Sequence, residues 1–346
     1  MINSVRPLAR TRVRMLGGAL VVVLASVVVG GCATAVPTGP PKELSVNVFP
    51  GGFNWPIWAA QEQGFFQKNG VVVNITPTPN SVSQLTGLIT GKFDIAMTAI
   101  DNLVAYRESQ GEAPMVGHDL VAVMGGDQGF LRLVVQPEIK TFMDLTGKTL
   151  SVDARTTGYA FVLYELLARN GLREPAYLVE RAGGVVQRYQ ALVDKKHAGT
   201  MLISPFEVQA ATRGMNVLAS ATATLGAYQG LVAGVRSSWA ARNREALIGY
   251  IRGYTEGVEW LYNAANRNEA LAIFQRNVTN STMQQSETAY RVLLDPNEGF
   301  QRRGEINLAG IKSVLDLRSR WSVAKTPLSD VNKYYDPSYY KAAMAR

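Results

Sequence analysis

The sequence predicts an α/β fold in two lobes, each built on a mostly parallel sheet flanked by helices. Three observations support this prediction. Short apolar strands alternate with amphipathic helices, which is typical of βαβ units. The alternation starts again near residue 149, and a chain of 346 residues exceeds one typical hydrophobic core.

The N-terminus has the organisation of a secretory signal. Four arginines and no acidic residue lie in the first 14 positions, and an apolar run follows from Met15 to Val29. This run is shorter than the about 20 residues that span a membrane, but it suits a signal peptide. Small residues then precede Cys32, the single cysteine of the chain, as in a bacterial lipobox. We therefore predict a lipoprotein signal peptide over residues 1–31 and lipidation of Cys32.

Residues 32–42 are rich in proline and predict an extended tether that holds the protein close to the membrane. The chain carries a formal charge of +8, and without the four arginines of the signal it carries +4 (8 − 4). This mild charge suits anionic ligands, and no basic block interleaved with aromatic residues indicates nucleic-acid binding. Two histidines without cysteine partners do not predict a zinc site. We expect no metal and no cofactor.

The first lobe is expected to begin with residues 43–134. Pro56 suits the first position of a helix capped by Asn54 or Trp55, and a capping box beginning at Ser81 predicts the start of the next helix. Short apolar runs predict strands at 44–49, 71–75, 93–98 and 121–124.

The second lobe is expected over residues 135–228, after a connection near 131–136, and residues 229–346 then complete the first lobe. The predicted strands of the second lobe are 149–152, 177–179, 201–203 and 217–218, and its predicted helices are 159–169 and 185–193. The last segment is predicted to be helical because its apolar residues recur at steps of three and four, as in Leu247, Ile251, Tyr254, Val258 and Leu261.

The sequence lacks the common catalytic motifs. Gly147-Lys148-Thr149 resembles the end of a phosphate-binding loop, but Phe142 stands where that motif requires its first glycine. Neither a G-x-S-x-G nor a G-x-G-x-x-G motif is present. We therefore expect a binding protein and not an enzyme.

The loops that follow the strands are the candidates for ligand binding, because ligands of open α/β sheets bind outside the carboxyl ends of the strands. The sharpest candidate is "RTTGY" (155–159), where Thr156 or Thr157 would cap a helix whose free N–H groups attract an anion. Gly158 would let the ligand approach the backbone. The alternative is a plain helix cap. Other such loops contribute Asn54, Trp55, Asp101, Asp127 and Glu207, for which core packing, capping or solvation is the alternative.

Four stretches of the chain resemble bacterial solute-binding proteins of ABC importers for nitrate, sulfonates, taurine and thiamine-pyrimidine precursors. They are "NWPIWAAQEQGFFQKNGVVVNI", "QLTGLITGKFDIAMTAID", "DLTGKTLSVDARTTGYAFVLYELLARNGL" and "PLSDVNKYYDPSYY". The resemblance implies a periplasmic-binding-protein fold whose two lobes are joined by a hinge, close on a solute and are then recognised by a membrane permease. It implies cleft contacts from Asn54, Trp55, Asp101, Thr156, Thr157 and Gly158, and less directly from Asp127, Glu207 and Tyr228.

The resemblance leaves the ligand open. The helix N-terminus at Thr156 and the mild positive charge favour a small organic anion. The alternative is a pyrimidine or other aromatic solute, which would stack on aromatic side chains such as Phe53, Trp55, Tyr159, Phe206 and Tyr228.

The resemblance also allows other roles. A solute sensor for a signalling protein is one alternative. Eukaryotic enzymes that make the thiamine pyrimidine have a similar fold, but they use a cysteine-rich motif that this chain lacks. We expect a monomer anchored through Cys32, at the periplasmic face of a Gram-negative cell or on the outer surface of a Gram-positive one.

Overall fold

The computed structural model describes residues 1–4 and 40–345. Apart from its first four residues, the expected signal peptide lies outside the described residues, as do Cys32 and most of the tether expected over 32–42. From Lys42 onward the chain forms two five-stranded sheets flanked by helices. No helix of the described ranges is long and apolar enough to cross a bilayer.

The strands of the first sheet are β1 (Lys42–Val48), β2 (Val71–Pro77), β3 (Ile95–Ala99), β4 (Leu120–Gly125) and β10 (Leu231–Arg236), numbered in chain order. Their order across the sheet is β2-β1-β3-β10-β4. β1 pairs in parallel with β2 and β3, and β10 is antiparallel to β3 and β4. All strands except β10 therefore point the same way.

The strands of the second sheet are β5 (Arg132–Val135), β6 (Thr149–Val152), β7 (Leu178–Arg181), β8 (Gly199–Leu202) and β9 (Asn216–Ser220). Their order is β7-β6-β8-β5-β9, and β5 is the antiparallel strand. The two sheets thus have the same arrangement, with one reversed strand in the fourth position. This confirms the predicted fold class of two mostly parallel sheets flanked by helices.

The helices follow the strands in both halves of the chain. The first half contains α1 (Trp55–Glu62), α2 (Phe65–Lys68), α3 (Ser81–Ile89) and α4 (Ile100–Arg107). The second sheet is flanked by α5 (Gly158–Arg169), α6 (Val185–Val193), α7 (Phe206–Ala211) and α8 (Ala221–Leu225). The C-terminal part contains α9 (Ser237–Arg242), α10 (Arg244–Tyr262), α11 (Arg267–Asn277), α12 (Met283–Leu293), α13 (Leu308–Trp321) and α14 (Pro337–Met344).

The capping box expected at Ser81 is wrong by one residue. Ser81 is the first residue of α3, and Asn80 is the cap, with its side-chain oxygen accepting the N–H of Ser83 at 2.8 Å. The Gln84 side chain does not return to the cap; it donates to two buried backbone carbonyl groups in the first sheet. The N–H of Ser81 is therefore left for another acceptor.

The hydrophobic core lies between the sheets and their helices. The strands β4 and β8 are buried at every residue, as expected for strands covered on both faces. Helix α10 buries the residues whose spacing predicted it and packs on α1, α2 and α14. The helical prediction for the C-terminal segment is confirmed.

The chain crosses between the sheets along residues 126–131 and 226–230. The segment expected to be the connection, 131–136, is for the most part strand β5 of the second sheet. A four-residue strand carries too little periodicity to distinguish it from an apolar linker. The boundaries expected at residues 134 and 228 stay predictions.

The two crossing segments are bonded to each other. The N–H of Gly126 donates to the carbonyl oxygen of Leu231 at 2.8 Å. The side-chain amide of Gln229 donates to the carbonyl oxygens of Asp127 at 3.2 Å and Leu231 at 2.9 Å. This pairing makes the two connections one bonded unit between the sheets.

Candidate ligand-binding site

A cavity of about 50 Å³ lies between the two sheets. A cavity needs about 10–15 Å³ to hold one water molecule, so this space takes about three to five water-sized groups. The first lobe lines it with Phe49, Phe53, Ala99, Asn102, Asp127 and Leu231, and the second with Asp153, Thr157, Gly158, Tyr159, Val185, Arg188 and Ile203.

The cavity lies at the carboxyl ends of strands from both sheets. Phe49 follows β1, Asp153 follows β6 and Ile203 follows β8. Leu231 is the first residue of β10, and it reaches the same edge because β10 runs in the opposite direction. Ligands of open α/β sheets bind at this edge.

Arg188 is the cation of the cavity. Its side chain is 5% exposed, and its Nε has no hydrogen-bond partner within residues 1–4 and 40–345. Its contact with the protein is a long one, from Nη1 to the carbonyl oxygen of Gly183 at 3.5 Å. Among the described residues it forms no ion pair. Burial lowers the pKa of Arg188, with the carboxylate of Asp153 acting in the opposite direction.

Asp153 is a buried carboxylate that faces the cavity and joins the two lobes. Its Oδ2 accepts the N–H of Ser81, at the start of α3 in the other lobe, at 2.9 Å. The positive end of that helix stabilises a carboxylate in this position. Its Oδ1 is buried and accepts no hydrogen bond from any residue that the structure describes.

Asp127 lies on the first crossing segment and also faces the cavity. Its Oδ1 accepts the N–H of Gly129 at 2.7 Å. Burial raises the pKa of Asp127 to about 6, against the effect of hydrogen bonds from the backbone of Gly129 and Leu231. A carboxyl group whose charge is so readily lost can either accept or donate a hydrogen bond near neutral pH.

The N-terminal end of α5 faces the same space. Thr157 is the N-cap, but its hydroxyl donates to the carbonyl oxygen of Ala154 at 2.9 Å and does not cap the helix. The first N–H groups of α5 therefore have no side-chain cap, and Gly158 and Tyr159 line the cavity there. Such an end attracts negative charge.

The lobes contact each other around the cavity. The N–H of Gly52 donates to the carbonyl oxygen of Ser204 at 3.0 Å, and that of Gly184 donates to the carbonyl oxygen of Pro79 at 3.0 Å. A methyl group on Gly184 would lie 2.4 Å from the Pro79 oxygen, so a side chain there would separate the lobes. The cavity is thus held in a closed arrangement.

The NMT1/THI5-like family matches residues 54–267, more than half of the chain. The chain belongs to the NMT1/THI5-like family. The family predicted from the four sequence stretches is confirmed. A comparison with curated proteins finds no match.

Solved structures share the fold of this NMT1/THI5-like protein at low sequence identity. The periplasmic nitrate-binding protein NrtA from Synechocystis PCC 6803 superposes with a TM-score of 0.72 at 13% identity, covering 88% of each chain. The alkanesulfonate-binding protein SsuA from Xanthomonas axonopodis pv. citri, bound to MOPS, gives 0.70 at 14% identity, covering 86% of this chain and 99% of that one. The predicted two-lobed periplasmic-binding-protein fold is therefore confirmed.

One structure with this fold is an enzyme. The desulfurization enzyme DSZB gives a TM-score of 0.58 at 11% identity, covering 88% of this chain and 99% of that one. At these identities the likeness concerns the fold alone.

The structure brings three of the predicted site residues of this family member to the cavity. They are Asp127, Thr157 and Gly158. Gly158 also lies against the first lobe, because a methyl group there would be 2.5 Å from Cβ of Asp101.

Asp101 and Thr156 lie beside the cavity and are bound to Arg318 of α13. The guanidinium group of Arg318 donates from Nε to Oδ1 of Asp101 at 2.7 Å and from Nη2 to the carbonyl oxygen of Thr156 at 2.8 Å. The Thr156 hydroxyl donates to Glu112 at 2.5 Å. Neither predicted residue lines the cavity.

Asn54 and Trp55 lie in the core of the first lobe. The Asn54 side chain donates to the carbonyl oxygen of Phe49 at 2.7 Å. The Trp55 indole donates to the carbonyl oxygen of Ala270 at 3.1 Å and packs on Phe274 at 4.7 Å between ring centres. Both are buried and do not line the cavity.

Glu207 and Tyr228 line two other grooves. Glu207 lies in a groove between α7 and α12, where its carboxylate accepts the Ser204 hydroxyl and keeps Oε2 without a partner. Burial raises the pKa of Glu207 to about 7. Tyr228 lies within the second crossing segment, where it is buried, and burial raises its pKa. Their part in ligand binding stays a prediction.

The sequence analysis did not identify two charged residues that line the cavity, Arg188 and Asp153. Asp153 directly follows a predicted strand, which is the signal that selected Asp101 and Asp127. Arg188 lies three residues after Val185 and four before Leu192, on the buried face of α6. A charged residue on an apolar face at this spacing is the signal that could have found it.

Proposed function

We propose that this protein is an extracytoplasmic solute-binding protein of an ABC importer, which closes its two lobes on a small organic anion. The observation that carries this proposal is Arg188, which is buried in the interlobe cavity and forms no ion pair with a carboxylate of the described part of the chain. The desolvation of a buried charge costs several kcal/mol unless a counter-charge stabilises it. An anionic ligand supplies that counter-charge.

The second support is the uncapped N-terminus of α5. Its N–H groups and the guanidinium group of Arg188 border the same space, and both favour negative charge. Neither the guanidinium group nor the backbone N–H groups lose a proton near neutral pH. Such donors suit an anion that remains charged over this pH range. The cavity volume of about 50 Å³ favours a compact anionic group.

Closure of the lobes is the step that the proposed partner, a membrane permease, would recognise. Interlobe hydrogen bonds at Gly52 and Gly184 need the lobes to be together. A ligand that binds between the lobes stabilises this arrangement, and the closed surface then differs from the open one. A signalling protein could read the same surface, and a permease gene beside this one would favour transport.

The test compares Arg188→Gln with Arg155→Gln. Both variants remove one positive charge from the second lobe, but Arg155 pairs with Glu174 on the surface and does not line the cavity. Titration calorimetry with nitrate and short sulfonates should find at least tenfold weaker binding for Arg188→Gln, because a hydrogen bond to a charged group contributes about 1.5–3 kcal/mol. Binding that the two variants weaken equally would contradict the proposal.

An aromatic solute such as a pyrimidine is the second candidate. It is favoured by Phe49, Phe53 and Tyr159, which line the cavity and offer ring faces. Adding hydroxymethylpyrimidine to the same titrations distinguishes the two ligand classes.

Binding without chemistry is part of the proposal. The fold itself does not exclude catalysis, since DSZB shares it. The cavity lining contains no Cys, His, Lys or Ser among the described residues, and the Thr157 hydroxyl that lines it donates to the carbonyl oxygen of Ala154 and not to either lining carboxyl group. A pyrimidine-forming enzyme is therefore the least favoured alternative.

The location and the anchor complete the proposal. A lipid on Cys32 would hold a monomeric binding protein beside its importer, at the periplasmic face or the outer cell surface. The lipobox-like sequence before Cys32 supports this. Cys32→Ala should give a protein that takes up no labelled palmitate in cells, and labelling at the wild-type level would contradict it.

A further inference from the structure

The interlobe cavity is lined by more acidic than basic groups. Among the described residues, Asp127, Asp153 and Arg188 supply two carboxyl groups and one guanidinium group. These residues are 3%, 6% and 5% exposed, so water screens their charges poorly. If all three groups are ionised, the cavity carries one negative charge in excess. An anionic solute would then have to bind against that charge.

The two carboxyl groups differ in what stabilises their ionised form. Asp153 accepts the N–H of Ser81 at 2.9 Å, and the positive end of helix α3 lies there. Asp153 is also the carboxylate whose charge acts on Arg188. Asp127 accepts the N–H of Gly129 at 2.7 Å but forms no ion pair with a described residue. Asp127 is therefore the carboxyl group from which the charge is more easily removed.

We infer that binding of the anion adds one proton to Asp127, so that the protein captures its solute together with a proton and releases it more readily as the pH rises. This inference rests on the proposed function and specifies how pH regulates it. The proton comes from solvent and joins the carboxylate of Asp127. A carboxylate and an anion in one small buried space repel each other, and protonation of the carboxylate removes that repulsion. The effect acts through space and does not need a contact between Asp127 and the solute.

The position of Asp127 keeps its carboxyl group beside the cavity. Asp127 lies on the first crossing segment, and its Oδ1 lies against the second, since a methyl group on Gly230 would be 2.1 Å from that oxygen. Burial raises the pKa of Asp127 to about 6. The free protein therefore loses this proton between about pH 5 and pH 7, and a bound anion delays the loss by raising the pKa further.

The other ionisable groups that act on this part of the cavity come from several elements. Three buried tyrosines act on Asp127 from α5, the second crossing segment and α10, namely Tyr159, Tyr228 and Tyr254. Burial raises the pKa of each tyrosine above its ordinary value of 10.0, so these hydroxyl groups stay neutral between pH 5 and pH 8. The charged groups that share the cavity are Arg188 of α6 and Asp153, which follows β6.

The experiment measures how the anion affinity of the purified wild-type protein depends on pH. Nitrate and ethanesulfonate keep their charge from pH 5 to pH 8, so a change in affinity over this range reports the protein. Titration calorimetry should give a Kd at least tenfold higher at pH 8 than at pH 5. Titrations at pH 7 in Bis-Tris and in Tris, two amine buffers of different ionisation enthalpy, should show uptake of nearly one proton for each anion bound.

Three variants assign the proton to one residue. Asp127→Asn still offers an oxygen to the N–H of Gly129, and its Kd should not change with pH, without proton uptake. Asp153→Asn removes the other carboxyl group of the cavity. Glu207→Gln removes a buried carboxyl group that lines a different groove and whose pKa burial raises to about 7. Both of these variants should keep the ratio of Kd values that the wild-type protein shows between pH 8 and pH 5.

The outcomes separate this inference from the proposed function. Equal affinity at pH 5 and pH 8 without proton uptake would overturn the inference and leave the anion-binding function intact. A pH dependence that persists in Asp127→Asn and disappears in Asp153→Asn or Glu207→Gln would overturn it as well. Failure of both anions to bind at any pH would overturn the proposed function too. The measurements on the wild-type protein do not depend on whether Asp127→Asn folds.

Discussion

Arg318 and Asp101 form a buried ion pair at the junction of the two lobes. The Nε of Arg318 lies 2.7 Å from Oδ1 of Asp101, and both side chains are at most 1% exposed. The same guanidinium group donates to the carbonyl oxygen of Thr156 in the second lobe and lies over the ring of Phe161 at 4.9 Å. Helix α13 therefore connects α4 of the first lobe to the start of α5, which borders the ligand cavity.

Arg318→Gln should lower the free energy of unfolding by about 3–5 kcal/mol, the usual effect of removing one partner of a buried pair. Asp101 would remain buried without its cation. Arg320→Gln is the matched control, because Arg320 lies on the same helix and pairs with Glu165, but its side chain is 62% exposed. The control should change stability by at most about 1 kcal/mol. Equal urea midpoints for the two variants would contradict this prediction.

Asp127 should make stability fall as the pH rises between about 4 and 6. Burial raises its pKa from 3.8 to about 6, so in this range the folded protein holds a proton that the unfolded chain has released. Below this range Asp127 has no effect, and above it the cost is constant. At 1.36 kcal/mol for each pKa unit, the full cost is about 3 kcal/mol.

Asp127→Asn removes this cost and still offers an oxygen to the N–H of Gly129. Its stability relative to the wild-type protein should therefore be about 2.4 kcal/mol higher at pH 7 than at pH 4, which is most of the full cost. Asp144→Asn is the control of opposite sign, since hydrogen bonds from the backbone of Lys140 and Thr141 lower the pKa of Asp144. Urea unfolding at both pH values measures the effect, and a difference independent of pH would refute it.

Sequence reasoning predicted the elements and the edge of the site better than the site itself. The rule that ligands bind after the strands led to Asp127, Thr157 and Gly158, all of which line the cavity. It could not identify Arg318, which lies 217 residues after Asp101 in the chain. Pairing over that distance depends on the packing of α13, and no local pattern records it.

The sequence analysis did not identify Arg188, the positive charge of the cavity, for a different reason. Arg188 lies within a helix, and a search of loops passes over it. Its position on the buried face of α6 is visible in the sequence, but a lone charge on such a face has the same pattern whether it binds a ligand or forms an internal ion pair. Deciding between these two roles requires knowing which side chains lie beside Arg188 in the folded protein.

Gly184→Ala should weaken ligand binding at least tenfold without unfolding either lobe. Its backbone has a φ of −64°, which any residue adopts, but a methyl group there would lie 2.4 Å from the carbonyl oxygen of Pro79 in the other lobe. Gly214→Ala is the control, since its φ of +86° strains a side chain, while an added methyl group would have no atom of the described residues within 4 Å. The control should lower the melting temperature but leave affinity unchanged, and the reverse pattern would contradict closure at Gly184.

Ser81→Pro should remove a single interlobe hydrogen bond and little else. Proline is well tolerated at the first position of a helix, which Ser81 occupies in α3, and the preceding Asn80 already has the extended backbone that proline requires (φ −163°, ψ 170°). The change deletes the N–H that Asp153 accepts.

Ser81→Ala keeps that N–H and controls for loss of the hydroxyl. Because a hydrogen bond to a carboxylate contributes about 1.5–3 kcal/mol, ligand affinity should fall about 10- to 100-fold in Ser81→Pro and stay near the wild-type value in Ser81→Ala. Calorimetry gives the affinities, and circular dichroism checks that α3 remains. If both variants bind equally well, the contact between Ser81 and Asp153 does not contribute to closure.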